Sequence, residues 1–247
     1  MIELSDAPAW TPEQVLPWAA LLEDSPPIEA LHWAQRMFAP RLALATGFGP
    51  EGIVLMHMAA RARLDLSVFY LDTGLLFEET YALRDALAAR LGITFIRVAG
   101  LSLEQQAAAH GPRLWSRDPD QCCHLRKVAP LRAYLAQQRA WITAIRRDQT
   151  PKRARAGVVE WDHANGLVKV NPLARWTSDQ VWRYVHTYDL PYNALHDQGF
   201  PSIGCWPCTQ RVAPGADPRS GRWAGSAKTE CGIHLNAPPP EPVGAPT

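Results

Sequence analysis

An α/β fold built on a doubly wound, mostly parallel sheet with helices on both faces is what this sequence predicts, and three observations predict it. Short apolar runs alternate with segments of helical period. Gly-containing loops follow the first two runs, as they do where a strand hands over to a helix. The 247 residues, 47% of them hydrophobic, suffice to bury one full core.

The elements follow in order. Pro12 to Leu22 and Ile28 to Met37 read as helices separated by the break Ser25-Pro26-Pro27. Residues 41–46 form a buried-strand run, 47–52 a loop and Ile53 to Arg63 a helix. Residues 66–71 are the next strand, closed by the turn Asp72-Thr73-Gly74, and Glu78 to Leu91 is a periodic helix. Ile93 to Val98 and Trp141 to Arg146 supply a third and a fourth strand, with shorter candidates at Gly157 to Trp161 and Leu167 to Val170. A capping-box spacing, Thr177-Ser178-Asp179-Gln180, opens a helix reaching about Tyr188. Strands separated by helices pair in parallel through right-handed crossovers, and such sheets bind ligands outside the carboxyl ends of their strands. No internal repeat is present.

Cysteine placement points to chemistry. Four of the five cysteines form two close pairs, Cys122-Cys123 and Cys205-Trp206-Pro207-Cys208, while Cys231 stands alone. A Cys-x-x-Cys by itself fits a redox dithiol, half of a zinc site or two buried small residues. Adjacent cysteines do not close a disulfide on each other without distortion and fit tetrahedral zinc poorly, yet both sulfurs can reach one polynuclear cluster. A 4Fe-4S cluster on Cys122, Cys123, Cys205 and Cys208 is therefore the expectation, with zinc and plain structural cysteines as the other readings. Cys231 remains free as a nucleophile.

Two loops at strand ends suit a nucleotide. Thr46-Gly47-Phe48-Gly49 precedes a helix, so its backbone N–H groups and the helix dipole face an incoming anion, although a merely tight turn has the same composition. Leu71-Asp72-Thr73-Gly74 ends the neighbouring strand. Arg146-Arg147 ends a third, with Lys152-Arg153-Ala154-Arg155 following, and guanidinium forks match phosphate or sulfate oxygens.

These residues resemble the assimilatory adenylyl-sulfate reductases, within the adenylyl-sulfate and 3′-phosphoadenylyl-sulfate reductase family of the PP-loop (adenine nucleotide alpha-hydrolase-like) fold. The resemblance rests on residues 45–51, Tyr70 to Gly74, Cys122 to Leu131, Arg146 to Gln149, Lys169 to Leu173, Leu190 to Asn193, Ser202 to Thr209, Gly221-Arg222-Trp223 and Lys228 to His234, in order. It implies reduction of adenylyl sulfate to sulfite with release of AMP, electrons coming from thioredoxin or a glutaredoxin-like dithiol protein. Cys231 would attack the sulfate sulfur and a reductant thiol would free sulfite from the resulting S-sulfocysteine. An anionic nucleophile attacking an anion needs local positive charge, and Lys127, Arg219, Arg222 and His234 hold the family's matching basic positions. Lys127 follows Cys123 by four residues, one helical turn, and so links cluster and substrate. Gly225-Ser226-Ala227 reads as a hinge for Cys231.

On this reading residues 1–38 are N-terminal helices, 39–210 the nucleotide- and cluster-binding domain, 211–236 a mobile catalytic segment, and 237–247 a disordered Pro-rich tail. Two departures stand out: Gly47 replaces a common serine, and Ala144 a common glycine before the arginine pair. Both bear on phosphate contacts, since a hydroxyl donor is lost and alanine does not take positive φ cheaply. The 3′-phosphorylated substrate, or both, is the alternative within the family. A PP-loop ATP-dependent adenylating or thiolating enzyme would carry a Ser-Gly-Gly-x-Asp loop, which residues 46–50 lack. A nucleic-acid-binding metal sensor is opposed by the formal charge of +1. With no long apolar stretch and no basic, apolar leader at Met1 to Asp6, a cytoplasmic location with no membrane contact is expected; a homo-oligomer follows from resemblance alone.

Overall fold

The computed structural model describes residues 10–234, so the Pro-rich tail expectation for residues 237–247 lies outside the described residues. Two helices, α1 (Pro12–Leu22) and α2 (Pro27–Phe38), precede the sheet. Then come β1 (Leu42–Thr46), α3 (Pro50–Arg61), β2 (Ser67–Asp72), α4 (Glu78–Leu91) and β3 (Phe95–Ala99). A helical stretch follows: α5 (Leu103–His110), α6 (Leu114–Arg117), α7 (Pro119–Cys123), a π-helical turn at His124–Val128 and α8 (Ala129–Leu135). The chain closes through β4 (Ala140–Ile142), β5 (Val159–Asp162), β6 (Leu167–Val170) and α9 (Ser178–Thr187).

The six strands lie in the order β3-β2-β1-β4-β6-β5, all parallel except the terminal β5–β6 pair. Period-two alternation sorts their side chains onto two faces. Leu42, Leu44, Val68, Tyr70, Ala140, Ile142, Val168 and Val170 join a core shared with α2, α3 and α9. The intervening Ala43, Phe69, Trp141 and Leu167 join a second core with Leu131 and Leu135 of α8, and Ile233 from the C-terminal segment packs on it. Both faces are thus covered, as the near-continuous apolar strands require.

Local signals account for the ends. Thr177 accepts the Gln180 N–H and caps α9 as its spacing predicts, and Gly92 terminates α4 at φ 67° with its N–H on the Ala88 carbonyl. The sequence reading missed α5 to α8, whose short segments carry little period, and placed the β3 and β4 boundaries one to four residues off. Gln121 N–H donates to Asp118, which caps the helix bearing Cys122 and Cys123. No helix among the described residues is long and apolar enough to cross a membrane.

Candidate active site

Parallel pairing puts the carboxyl ends of β1, β2 and β4 on one edge, where the expected loops meet. After β1, Thr46 Oγ1 accepts the Phe48 N–H at 3.0 Å, and Phe48 takes φ 58° with its ring buried on Tyr70 and Phe95. Gly49 caps α3, and Glu51 in its first turn accepts from Gln149 Nε2 at 3.0 Å. A Cβ at Gly47 would meet nothing within 4 Å, so the serine common at that position is absent for no steric reason. Ala144 is not among the described residues with positive φ, and the strain expected there does not arise.

The arginine pair divides. Arg146 turns to the β1 loop, its Nε 3.3 Å from Glu51 and its Nη2 3.3 Å from Asp148, with Nη1 buried and without a hydrogen-bond partner among the described residues. Arg147 turns the other way, donating to the Ala156 carbonyl and pairing with Glu23 at 2.6 Å, so the structure does not bring it to the loops. In the β2 loop Asp72 and Thr73 are buried, while Gly74 is exposed. Asp72 accepts from Gly74 N, Tyr81 Oη and Arg97 Nε; burial opposes its charge, but these donors hold its pKa below the ordinary value. Leu71 lies in β2, partly buried against the second core.

Thr73 turns toward the cysteines. Its Oγ1 shares a 3.3 Å hydrogen bond with Cys205 Sγ, and Trp206 N–H donates to the Leu75 carbonyl, tying the Cys-x-x-Cys turn to this loop. Cys122, Cys123, Cys205 and Cys208 line one cavity, and none is in a disulfide. Arg126, missed by the sequence reading although it adjoins Lys127, lines the same cavity. Its Nη1 donates to the Thr73 and Leu101 carbonyls, while Nε and Nη2 are buried without partners among the described residues. Burial, then mutual repulsion of thiolate charge, pushes Cys122 up to about 11; burial likewise pushes Cys123 to about 11, with Lys127 and Lys228 opposing. No three His, Cys, Asp or Glu side chains among the described residues are placed to hold a single metal ion; the thiols surround a volume instead.

Lys127 lines that cavity too. Burial opposes its charge, yet Cys205, Cys231 and Cys123 more than offset this and hold its pKa above the ordinary lysine value. The lysine therefore lines the four-thiol cavity and is within electrostatic reach of the lone Cys231 as well. It belongs to the π turn, in which the Ala129 N–H reaches the His124 carbonyl, so the expected α-helical relation to Cys123 is replaced by a wider turn.

The C-terminal segment closes over this edge. Arg222 donates to Ser202 and the Ile203 carbonyl and lies over Trp223 at 4.6 Å; its Nε has no partner among the described residues. Arg219 donates to the Thr229 carbonyl at 3.1 Å and meets Glu230 at 3.5 Å. The ring of His234 stacks on Trp141, centroids 5.8 Å apart, with Nδ1 buried and unpartnered among the described residues. Burial first, then Arg153, Lys169 and Arg219, holds its pKa well below the ordinary value, so the ring is neutral. Lys127, Arg219, Arg222 and Cys231 are thus assembled at one place, while His234 is set back against the sheet. The sequence reading gave Glu230, Thr150 and Trp141 no site role, although Glu230 lies in the stretch Lys228 to His234 that carries the resemblance and Trp141 opens the expected fourth strand.

A parallel sheet with nucleotide-type loops at the ends of β1 and β2, beside a buried thiol cavity, defines a nucleotide-handling α/β protein. Candida glabrata FMN adenylyltransferase in complex with FMN and an ATP analogue shares that fold at TM-score 0.55 and 12% identity, the match covering 85% of this chain and 71% of that one. This chain belongs to the phosphoadenosine phosphosulfate reductase domain family, whose profile matches residues 41–211. It is 50% identical over 233 residues to adenosine 5′-phosphosulfate reductase of Salinibacter ruber, covering 93% of this chain and 92% of that protein. It is 52% identical over 216 residues to phosphoadenosine 5′-phosphosulfate reductase of Gloeobacter violaceus, covering 86% and 90%. The crystal structure of phosphoadenylyl-sulfate reductase from Candida auris, a phosphate complex, matches at TM-score 0.71 and 32% identity over 84% of this chain and all of that one.

Proposed function

We propose that this chain reduces adenylyl sulfate to sulfite and AMP, with Cys231 as nucleophile and a thioredoxin-like or glutaredoxin-like dithiol protein as reductant. One observation carries the reading: a free thiol outside the four-thiol cavity shares Lys127 with it, beside Arg219 and Arg222. The Cys231 sulfur bonds to the sulfate sulfur as the S–O bond to AMP breaks, leaving an S-sulfocysteine. A reductant thiolate then attacks the Cys231 sulfur and releases sulfite; the mixed disulfide is resolved by the reductant's second thiol. Lys127, Arg219 and Arg222 offset the repulsion between thiolate and anionic substrate. The β1 loop, Arg146 and the β2 turn receive the nucleotide edge, and Thr73 of that turn also lines the thiol cavity.

The donor set fits one 4Fe-4S cluster per chain. Four thiols line a common cavity, Thr73 Oγ1 reaches Cys205 Sγ, and Arg126, which lines the same cavity, keeps Nε and Nη2 buried and without hydrogen-bond partners among the described residues. When bound, such a group turns the four thiols into thiolate ligands and fixes the two cysteine pairs against each other. Residues 211–236 act as the mobile catalytic segment, and a reaction of this kind suits the reducing cytoplasm.

Relatives of similar identity are named for either nucleotide, so the test compares both. Intact mass of anaerobically purified protein, incubated without reductant, should gain one sulfonate on Cys231 with adenylyl sulfate. Thioredoxin should then remove it as sulfite. An adduct only with the 3′-phosphorylated form would reassign the substrate, and none with either would sink the reading.

A further inference from the structure

We propose that Glu230 is a positioning residue that latches the Cys231 segment onto the end of β4, an inference resting on the nucleophile role of Cys231. The Glu230 side chain is only 6% exposed and gathers donors from two parts of the chain. Thr150 Oγ1 donates at 3.0 Å, Arg153 Nε at 3.0 Å and Arg153 Nη2 at 2.8 Å, all from the turns after β4. Arg219 Nη2 adds a 3.5 Å contact from the C-terminal segment itself. The carboxylate therefore cross-links that segment to the α/β domain immediately before the nucleophile. Charge-assisted and bidentate contacts of this kind are the strong ones, and breaking a buried one leaves Arg153 unpaired.

A carboxylate beside a thiolate that must attack an anion is electrostatically adverse unless its charge is taken up elsewhere, and here two guanidinium groups take it up. Around the latch the segment is built to pivot. Gly225 at φ 83° and Gly232 at φ 92° adopt backbone that other residues rarely take, and a Cβ at Gly225 would meet nothing within 4 Å. Beyond the latch Ile233 packs on the second core and His234 stacks on Trp141; before it Lys228 pairs with Asp120 of α7. Closure suits the attack of Cys231 on substrate. Opening suits its discharge by a thiol borne on another protein, which needs a clear line to the Cys231 sulfur.

The two half-reactions should therefore respond in opposite senses. In anaerobically purified protein, Glu230→Gln should raise the rate of Cys231 alkylation by iodoacetamide, followed by peptide mass, by roughly tenfold or more. It should slow single-turnover adduct formation by about tenfold while discharge of the preformed adduct by thioredoxin is unchanged or faster. Glu230→Asp, which keeps the charge, should recover part of both effects. Alkylation of Glu230→Gln at the parent rate, or equal slowing of both half-reactions, overturns the proposal. Should that variant not fold, Thr150→Ala removes a single donor and should move the same rates in the same directions. If the parent forms no adduct, the proposed function falls while alkylation still decides the latch.

Discussion

Gly100→Ala should disturb the thiol cavity from outside it. Gly100 follows β3, and a Cβ built there would lie 2.5 Å from the Leu125 carbonyl oxygen and 2.9 Å from Pro130 Cγ. Neither is the far end of a flexible side chain: one is backbone of the π turn, the other a ring in α8. The turn must retreat by about 0.5 Å to restore the closest approach that Cβ atoms show. Overpacking of this sort costs about 1–3 kcal/mol. At about 2–4 °C per kcal/mol for a chain of this size, the melting temperature should fall by roughly 2–12 °C. Arg126 and Lys127 follow Leu125 directly, so adduct formation on Cys231 should slow as well. Gly47→Ala is the comparison: with nothing within 4 Å of its Cβ and no positive φ, it should gain about 0.4–1 kcal/mol through the unfolded chain and melt slightly higher. Thermal unfolding by circular dichroism with single-turnover mass spectrometry reads both. A Gly100→Ala protein melting within about 1 °C of the parent, with full adduct rate, would refute the steric reasoning.

Cys231→Ser should abolish the sulfonate adduct while leaving the visible absorption of a cluster-loaded preparation unchanged; loss of that absorption would overturn the division into four ligands and one nucleophile. Lys127→Met should slow adduct formation about a hundredfold or more with little change in AMP affinity by calorimetry, since its charge acts on the reacting sulfur. The His234 pKa is depressed, so the docked ring is neutral; as pH falls below about 6.5 the undocked state gains the proton. Amide-exchange protection of residues 228–234 should therefore weaken between pH 7.5 and 5.5 in the parent and not in His234→Gln. Asp72→Asn should cost about 1–3 kcal/mol at pH 7 by urea unfolding. Because its folded pKa is lowered, that difference should shrink as pH falls below about 4.

The parallel strands were legible because β1, β2 and β6 are mostly apolar, and α9 because Thr177 and Gln180 spell its cap. The cysteine pairs were legible through spacing, which the fold converts into a shared cavity by wedging the Thr73 loop beneath Cys205. Helices α5 to α8 were not: each is short, and α6 opens from Arg113 in left-handed backbone, with no periodic stretch to read. Arg146 and Arg147 looked equivalent, but successive residues face opposite ways, and only packing against Glu23 and Glu51 assigned them. Glu230 lies in the stretch that carries the resemblance, but its role as a cross-link was invisible for the complementary reason. Its partners Arg153 and Thr150 lie 77 and 80 residues away, and no local pattern records so distant a contact.

The π turn at His124–Val128 also limits how this segment can change length. Successive side chains on an α-helix step about 100° around the axis, so removing one residue swings everything beyond it by that angle. Here α7 presents Cys122 and Cys123 to the cavity, whereas α8 presents Leu131 and Leu135 to the second core, and the wide turn sets the phase between them. Deleting Leu125 would allow an unbroken α-helix, the locally preferred state, while putting either the cysteines or the leucines out of register. The chain has thereby fixed the residue count between its first cysteine pair and its sheet, as a gear train fixes its tooth number.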